Sequence, residues 1–184
     1  MGKIFVTIVC FLIILSNTAS AFAQQISPSI TPIPSPTPVE YQLPYPGILP
    51  GHPFYFLKSL RDNIMSLLIS SPLKKAEFNL LQSDKNLQAA LYLYGQNKDN
   101  ETVFQTLQAS EDYFKKTIDN IEEAKKQGIN VLEFERKITI ASLKHQELVS
   151  NLAESAKDSD KKQFESSLKK MQDLDRQVKA FNSK

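Results

Sequence analysis

Two histidines and twenty carboxylates are the side chains with the widest chemical scope in this chain, and their spacing limits what they can do. A di-iron or di-manganese carboxylate bundle needs Glu-x-x-His pairs on its helices, but the position three before His145 is Ser142. His52 stands between Gly51 and Pro53 and reads as a turn or cap residue. His145 reads as a partly buried residue at a core edge, with a pH-sensing contact as the sharper alternative. There is no His-Glu-x-x-His, no Gly-x-Ser-x-Gly elbow and no glycine-rich phosphate loop, so the usual routes to metal, nucleophile and phosphate chemistry are missing. Glu122 and Glu123 are adjacent, and on a helix adjacent carboxylates project to different sides, so a cation there would need ligands from elsewhere. The single cysteine, Cys10, lies inside an N-terminal apolar run and leaves with it if that run is removed, which excludes disulfides and thiolate metal sites from the remainder. The expectation is a chain with no catalytic residue, no metal, no cofactor and no small-molecule substrate.

The elements that carry these residues begin with an export signal. Lys3 supplies a positive start, Ile4 to Leu15 is apolar apart from Thr7, and Ala21-Phe22-Ala23 is a small-x-small cleavage pattern, so residues 1–23 read as a signal peptide cleaved after Ala23. A helix of about 12 residues rises only about 18 Å against a hydrocarbon core of about 30 Å. An uncleaved anchor would have to extend through Ser16-Asn17-Thr18 to Phe22. Between Gln24 and Pro53 lie nine of the ten prolines, with Glu40 the only formal charge. Residues 24–40 read as an extended Pro/Ser/Thr linker, and residues 41–184 as one helical domain. Its first part, Tyr41 to Phe56, is too apolar for a solvated linker and is expected to pack on the helices, with Tyr45, Phe54 and Phe56 as packing residues. Tyr41, Tyr45, Phe54, Tyr55 and Phe56 also form a possible interaction strip. With 22 basic and 20 acidic residues the surface is balanced, which argues against nucleic acid and against a polybasic membrane patch; a membrane contact is expected only if the N-terminal segment stays uncleaved.

Helix boundaries are punctuated by Gly47, Gly51, Gly95, Gly128 and Ser70-Ser71-Pro72. The first helix is expected over about Pro53 to Ile69, with Leu57, Leu60, Ile64, Leu67 and Leu68 on its buried face. The second follows a Ser71 cap with Pro72 in its first turn and carries Leu73, Leu80, Leu87, Leu91 and Tyr94. The third, about Asn100 to Gln127 with Asn100 as cap, carries Val103, Leu107, Ser110, Phe114, Thr117, Ile121 and Ala124. The fourth, about Val131 to Lys157, opens on Asn130 and Glu133 at capping-box spacing and carries Phe134, Ile138, Ala141, His145, Leu148 and Leu152. The fifth, about Lys161 to Asn182 with Asp160 as cap, carries Phe164, Leu168, Met171, Val178 and Phe181. Stripes of this kind on helices joined by short turns predict an all-α, up-and-down antiparallel bundle of about five helices. Acid–base pairs at i, i+4, such as Glu111 with Lys115 and Asp112 with Lys116, read as solvated outer faces. Lys58 and Asp62 are expected to close the first turn in the same way.

The junction Leu43-Pro44-Tyr45-Pro46-Gly47, Pro50, His52-Pro53, Tyr55-Phe56-Leu57-Lys58, Arg61-Asp62, then Pro72 and Lys75-Ala76-Glu77, resembles a family of exported bacterial proteins with a domain of unknown function, family 5667. The resemblance is carried by Tyr41 to Leu93 and extends to the later helices by helical pattern alone. It implies a helical fold and supplies no activity. The resulting expectation is an exported, non-enzymatic structural or interaction module at the cell envelope, with a protein or envelope component as partner, in the periplasm, at the cell surface or secreted. A periplasmic chaperone or envelope-stress sensor is the alternative; it would need an exposed apolar concavity, for which Met65, Ile69, Tyr92 and Leu93 are candidates.

Overall fold

The computed structural model describes residues 39–181. The expected signal peptide and cleavage point, nearly all of the expected 24–40 linker and the expected helix end at Asn182 lie outside the described residues. Five helices follow in order: α1 Tyr55–Leu68, α2 Pro72–Gly95, α3 Asn100–Lys126, α4 Leu132–Ser155 and α5 Asp158–Phe181. Among the described residues there is no strand, and the all-α bundle expected from periodicity is the fold found.

Local chemistry explains where the helices stop. Pro72 opens α2, where its missing N–H costs nothing. The left-handed residue after α2 is Asn97 rather than Gly95, with Lys98 N–H donating to Leu93 C=O and Asn97 N–H to Tyr94 C=O. Gly128 takes the same left-handed position after α3 (φ 74°), where Ile129 N–H reaches Ala124 C=O and Gly128 N–H reaches Lys125 C=O. The cap of α3 is Asp99, which accepts from Thr102 N–H at 2.8 Å, one residue before the expected Asn100. Ser71 makes no side-chain cap bond. Asn130 Oδ1 accepts from Leu132 N–H at 3.1 Å, whereas Asp160 lies inside the first turn of α5 because that helix begins at Asp158.

Helices α2 to α5 make a four-helix ring in which α2 packs on α3, α4 on α5, α3 on α5 and, more lightly, α2 on α4. Three contacts show that α3 and α5 run side by side in the same direction: Asn100 to Asp160 at their starts (2.7 Å), Glu111 to Lys170 midway (2.9 Å) and Lys125 Nζ to Phe181 C=O at their ends (3.5 Å). Between α2 and α3 each of Ser83 and Ser110 donates its hydroxyl to the other's carbonyl at 2.8 Å, a reciprocal tie that only small side chains at a close crossing allow. The core holds Leu80, Leu87, Leu107, Phe114, Ile118, Ile121, Ile138, Phe164 and Met171, all buried. Every residue of the expected α3 stripe is buried. Phe164 is clasped by Tyr94 (5.1 Å, edge-on) and Phe104 (4.7 Å).

Three expectations are corrected. The apolar stripe of α1 is exposed, not buried, and the side chains this helix buries are Lys58 and Asp62. In the strip before it, Tyr45, Phe54 and Phe56 are exposed, so they are not packing residues. Among the described residues α1 packs extensively on none of the other helices, and its outer side is left exposed. Thirdly, Glu111 is buried, not solvated; it pairs with Lys170 on α5, while Asp112 also turns to Lys170 and Lys115 turns to Asp119.

Candidate interaction surface

Helix α1 is amphipathic with its polar side turned in. At 100° per residue Phe56, Leu57, Leu60, Ile64, Leu67 and Leu68 fall in a sector about 120° wide, and all six are exposed, Leu67 to 84% and Leu68 to 71%. Opposite them, Tyr55, Lys58, Ser59, Asp62 and Ser66 are buried or half-buried. Lys58 Nζ donates to Pro46 C=O at 3.3 Å and lies 5.4 Å over the Tyr55 ring. Its pKa is held below the ordinary lysine value first by burial, against which Asp62 works. The expected Lys58–Asp62 pairing gives way to Arg61, which binds Asp62 Oδ1 at 2.7 Å. Burying a leucine, isoleucine or phenylalanine side chain is worth about 1.5–3 kcal/mol, so turning six of them outward forgoes stabilisation that an ordinary amphipathic helix collects.

The apolar surface continues beyond the stripe. Exposed Ile48 shares a shallow cleft with Leu57, and half-buried Ile69 with Phe78 and exposed Leu81 line another beside the start of α2. Of the remaining apolar candidates, Met65 and Tyr92 are exposed, whereas Leu93 is buried in the core.

The interaction strip divides. Tyr45, Phe54 and Phe56 face out, Tyr55 is half-buried under Lys58, and Tyr41 is drawn into the bundle. Tyr41 Oη donates to Asp84 Oδ2 at 2.7 Å, and His145 Nε2 meets Asp84 Oδ1 at 2.8 Å. One buried carboxylate on α2 thus holds the strap and α4 together. His145 is fully buried, not at a core edge; its ring lies 5.1 Å from Phe114. Next to Tyr41, Val39 N–H donates to Glu147 Oε2 at 2.9 Å, and half-buried Leu43 and Leu49 pack against the core. His52 is a turn residue whose Nδ1 accepts from Phe54 N–H at 3.2 Å. Sequence reasoning missed Asp84, although a signal was present: it lies four residues after Leu80 and three before Leu87, an acid inside an apolar stripe.

Tyr41 gives an alkaline test. Burial first, then the Asp84 carboxylate, raises its pKa well above the ordinary tyrosine value of about 10. A raised folded-state pKa contributes stability that is complete below the unfolded value and lost as pH climbs past it. The unfolding midpoint is therefore expected to fall above about pH 10, and Tyr41→Phe to make that fall shallower; an unchanged slope in urea melts across this range would refute the strap contact.

Among the described residues no three His, Cys, Asp or Glu side chains stand where they could hold a metal, and no helix is long and apolar enough to cross a membrane. The family model for a domain of unknown function (DUF5667) matches residues 47–182, which takes in α1 and all four bundle helices. The chain belongs to the DUF5667 family. No curated protein and no solved structure matches it. The DUF5667 match starts at Gly47, so the outward-facing α1 lies within the family domain while the Tyr41 strap precedes it.

Proposed function

We propose that this DUF5667 chain is an exported, non-enzymatic interaction module of the cell envelope, and that the outward face of α1 is its contact surface. The observation that carries the reading is the inversion of α1, with Lys58 and Asp62 buried beneath six exposed apolar side chains. Monomeric soluble proteins rarely leave contiguous apolar patches beyond a few hundred Å² uncovered. Export is supported by Lys3, the Ile4 to Leu15 run and Ala21-Phe22-Ala23, and the Pro-rich linker sets the helical domain off from that segment.

Both halves are tested by labelling intact cells with a small membrane-impermeant maleimide, in chains carrying Cys10→Ser and one new cysteine. Leu132→Cys, at an exposed site at the start of α4, is expected to label, and Ile64→Cys to be protected at least tenfold until the cells are solubilised and the protein is unfolded. Equal labelling of the two removes the contact surface; a Leu132→Cys chain that labels only after lysis removes export. In the chaperone alternative the same face would hold an unfolded client, and the purified protein would suppress client aggregation in a way that Leu60→Glu abolishes.

A further inference from the structure

We propose that the outward face of α1 pairs with the same face of a second copy of this chain, giving a two-fold symmetric dimer with the two α1 helices antiparallel. This rests on the reading of α1 as a contact surface and names its occupant.

The apolar pattern of α1 is its own reverse. Phe56-Leu57, Leu60, Ile64 and Leu67-Leu68 are spaced by three, four and three residues, a sequence of steps symmetric about position 62. A two-fold axis perpendicular to the helix at that point lays the pattern on itself: Leu57 comes level with Leu67 of the second copy and Leu60 with Ile64. Isologous interfaces require such self-complementarity, and an unrelated partner does not.

Area and charge agree with the symmetry. The six stripe residues and adjoining Ile48 are each 40% exposed or more. At on the order of 100 Å² each they offer roughly 700 Å², close to the ~800 Å² per partner of a standard interface. No charged residue lies within the stripe, so two copies bring no like charges face to face. At its edge Arg61 is bound to Asp62 and comes level with the neutral Asn63 of the second copy.

A lipid surface fits the same face less well. Helices that lie in a membrane interface carry Lys and Arg free to meet anionic headgroups. Here Lys58 is buried on Pro46 C=O and Arg61 is engaged by Asp62. The whole sequence carries only two more basic than acidic residues, and Lys3 and Lys184 lie outside the described residues.

The decisive measurement is the mass of the exported chain in solution by sedimentation equilibrium, from about 1 to 100 µM, the range over which a dimer of ordinary affinity is resolved. Twice the chain mass is expected for the natural sequence. Leu60→Glu is expected to weaken the dimer by at least ~30-fold with an unchanged helical circular dichroism spectrum and without the rise of melting temperature with concentration that dimerisation gives the natural chain, because its side chain is not in the core, and Leu132→Glu is expected to leave the mass doubled. A natural chain that is monomeric at 100 µM, or a Leu60→Glu chain that stays dimeric, overturns the proposal. So does a monomer that co-floats with vesicles of anionic phospholipid, which would assign the face to lipid. If the chain is monomeric while Ile64→Cys remains protected in cells, the dimer fails and the contact surface stands with another occupant.

Discussion

Phe164→Ala is expected to lower the unfolding free energy by about 3–5 kcal/mol, the usual cost of emptying a buried phenylalanine site. Phe164 is fully buried on α5, with Tyr94 from α2 edge-on to its ring and Phe104 from α3 beside it. The cavity would open where three helices meet, so no single side chain can close it, and the contacts of two aromatic partners are lost together. For a domain near 150 residues this is a fall in melting temperature on the order of 10 °C. Thermal unfolding followed by circular dichroism decides it, and a fall of less than about 4 °C would mean that this junction is not packed as described. Phe56→Ala is the contrast. Its ring is exposed on α1, and the change is expected to stay within about 0.5 kcal/mol for the monomer.

Asp84→Ala is the second large effect, about 3–5 kcal/mol by a different route. One carboxylate serves the Tyr41 hydroxyl and the His145 ring, and its removal strands two donors whose desolvation costs about 1–3 kcal/mol each. Asp84→Asn keeps one acceptor oxygen and is expected to lose about half as much. Because the three side chains act as a unit, Tyr41→Phe combined with Asp84→Ala should cost less than the sum of the single changes. Urea unfolding of the four proteins tests this, with limited proteolysis between residues 39 and 54 as a local readout: Asp84→Ala should expose the strap to cleavage. An Asp84→Ala protein as stable as the natural chain would show that the buried cluster does not hold the strap.

Helical periodicity was enough to place the bundle. Apolar residues at steps of three and four, interrupted only at residues that favour turns, have few ways to be buried from water other than helix on helix. The α3 stripe from Val103 to Ala124 is buried residue for residue. Helix ends were legible to within a few residues. Where they shifted, a neighbouring side chain had supplied the better geometry, as Asp99 did for Asn100 and Asn97 for Gly95.

The same stripes carried the less visible part of the candidate site. An acid at Asp84 and a histidine at His145 occupy core positions on two different helices, yet periodicity says nothing of which helices become neighbours. The light α2–α4 contact brings them within 2.8 Å, and the strap adds Tyr41 from more than forty residues upstream.

What the sequence by itself determined is the helical class, the faces of the long helices and the lack of familiar catalytic or metal-binding patterns, because each follows from local spacing and side-chain chemistry. The direction of α1 was decided only in three dimensions. A stripe such as Leu57-Leu60-Ile64-Leu67 records that a helix has an apolar side, but which side meets the body depends on what the body offers. Here Pro46 C=O receives Lys58, Asp62 is held by Arg61, and the four-helix ring is closed without α1. The polar side is thereby satisfied inward, and the apolar side is left to face outward.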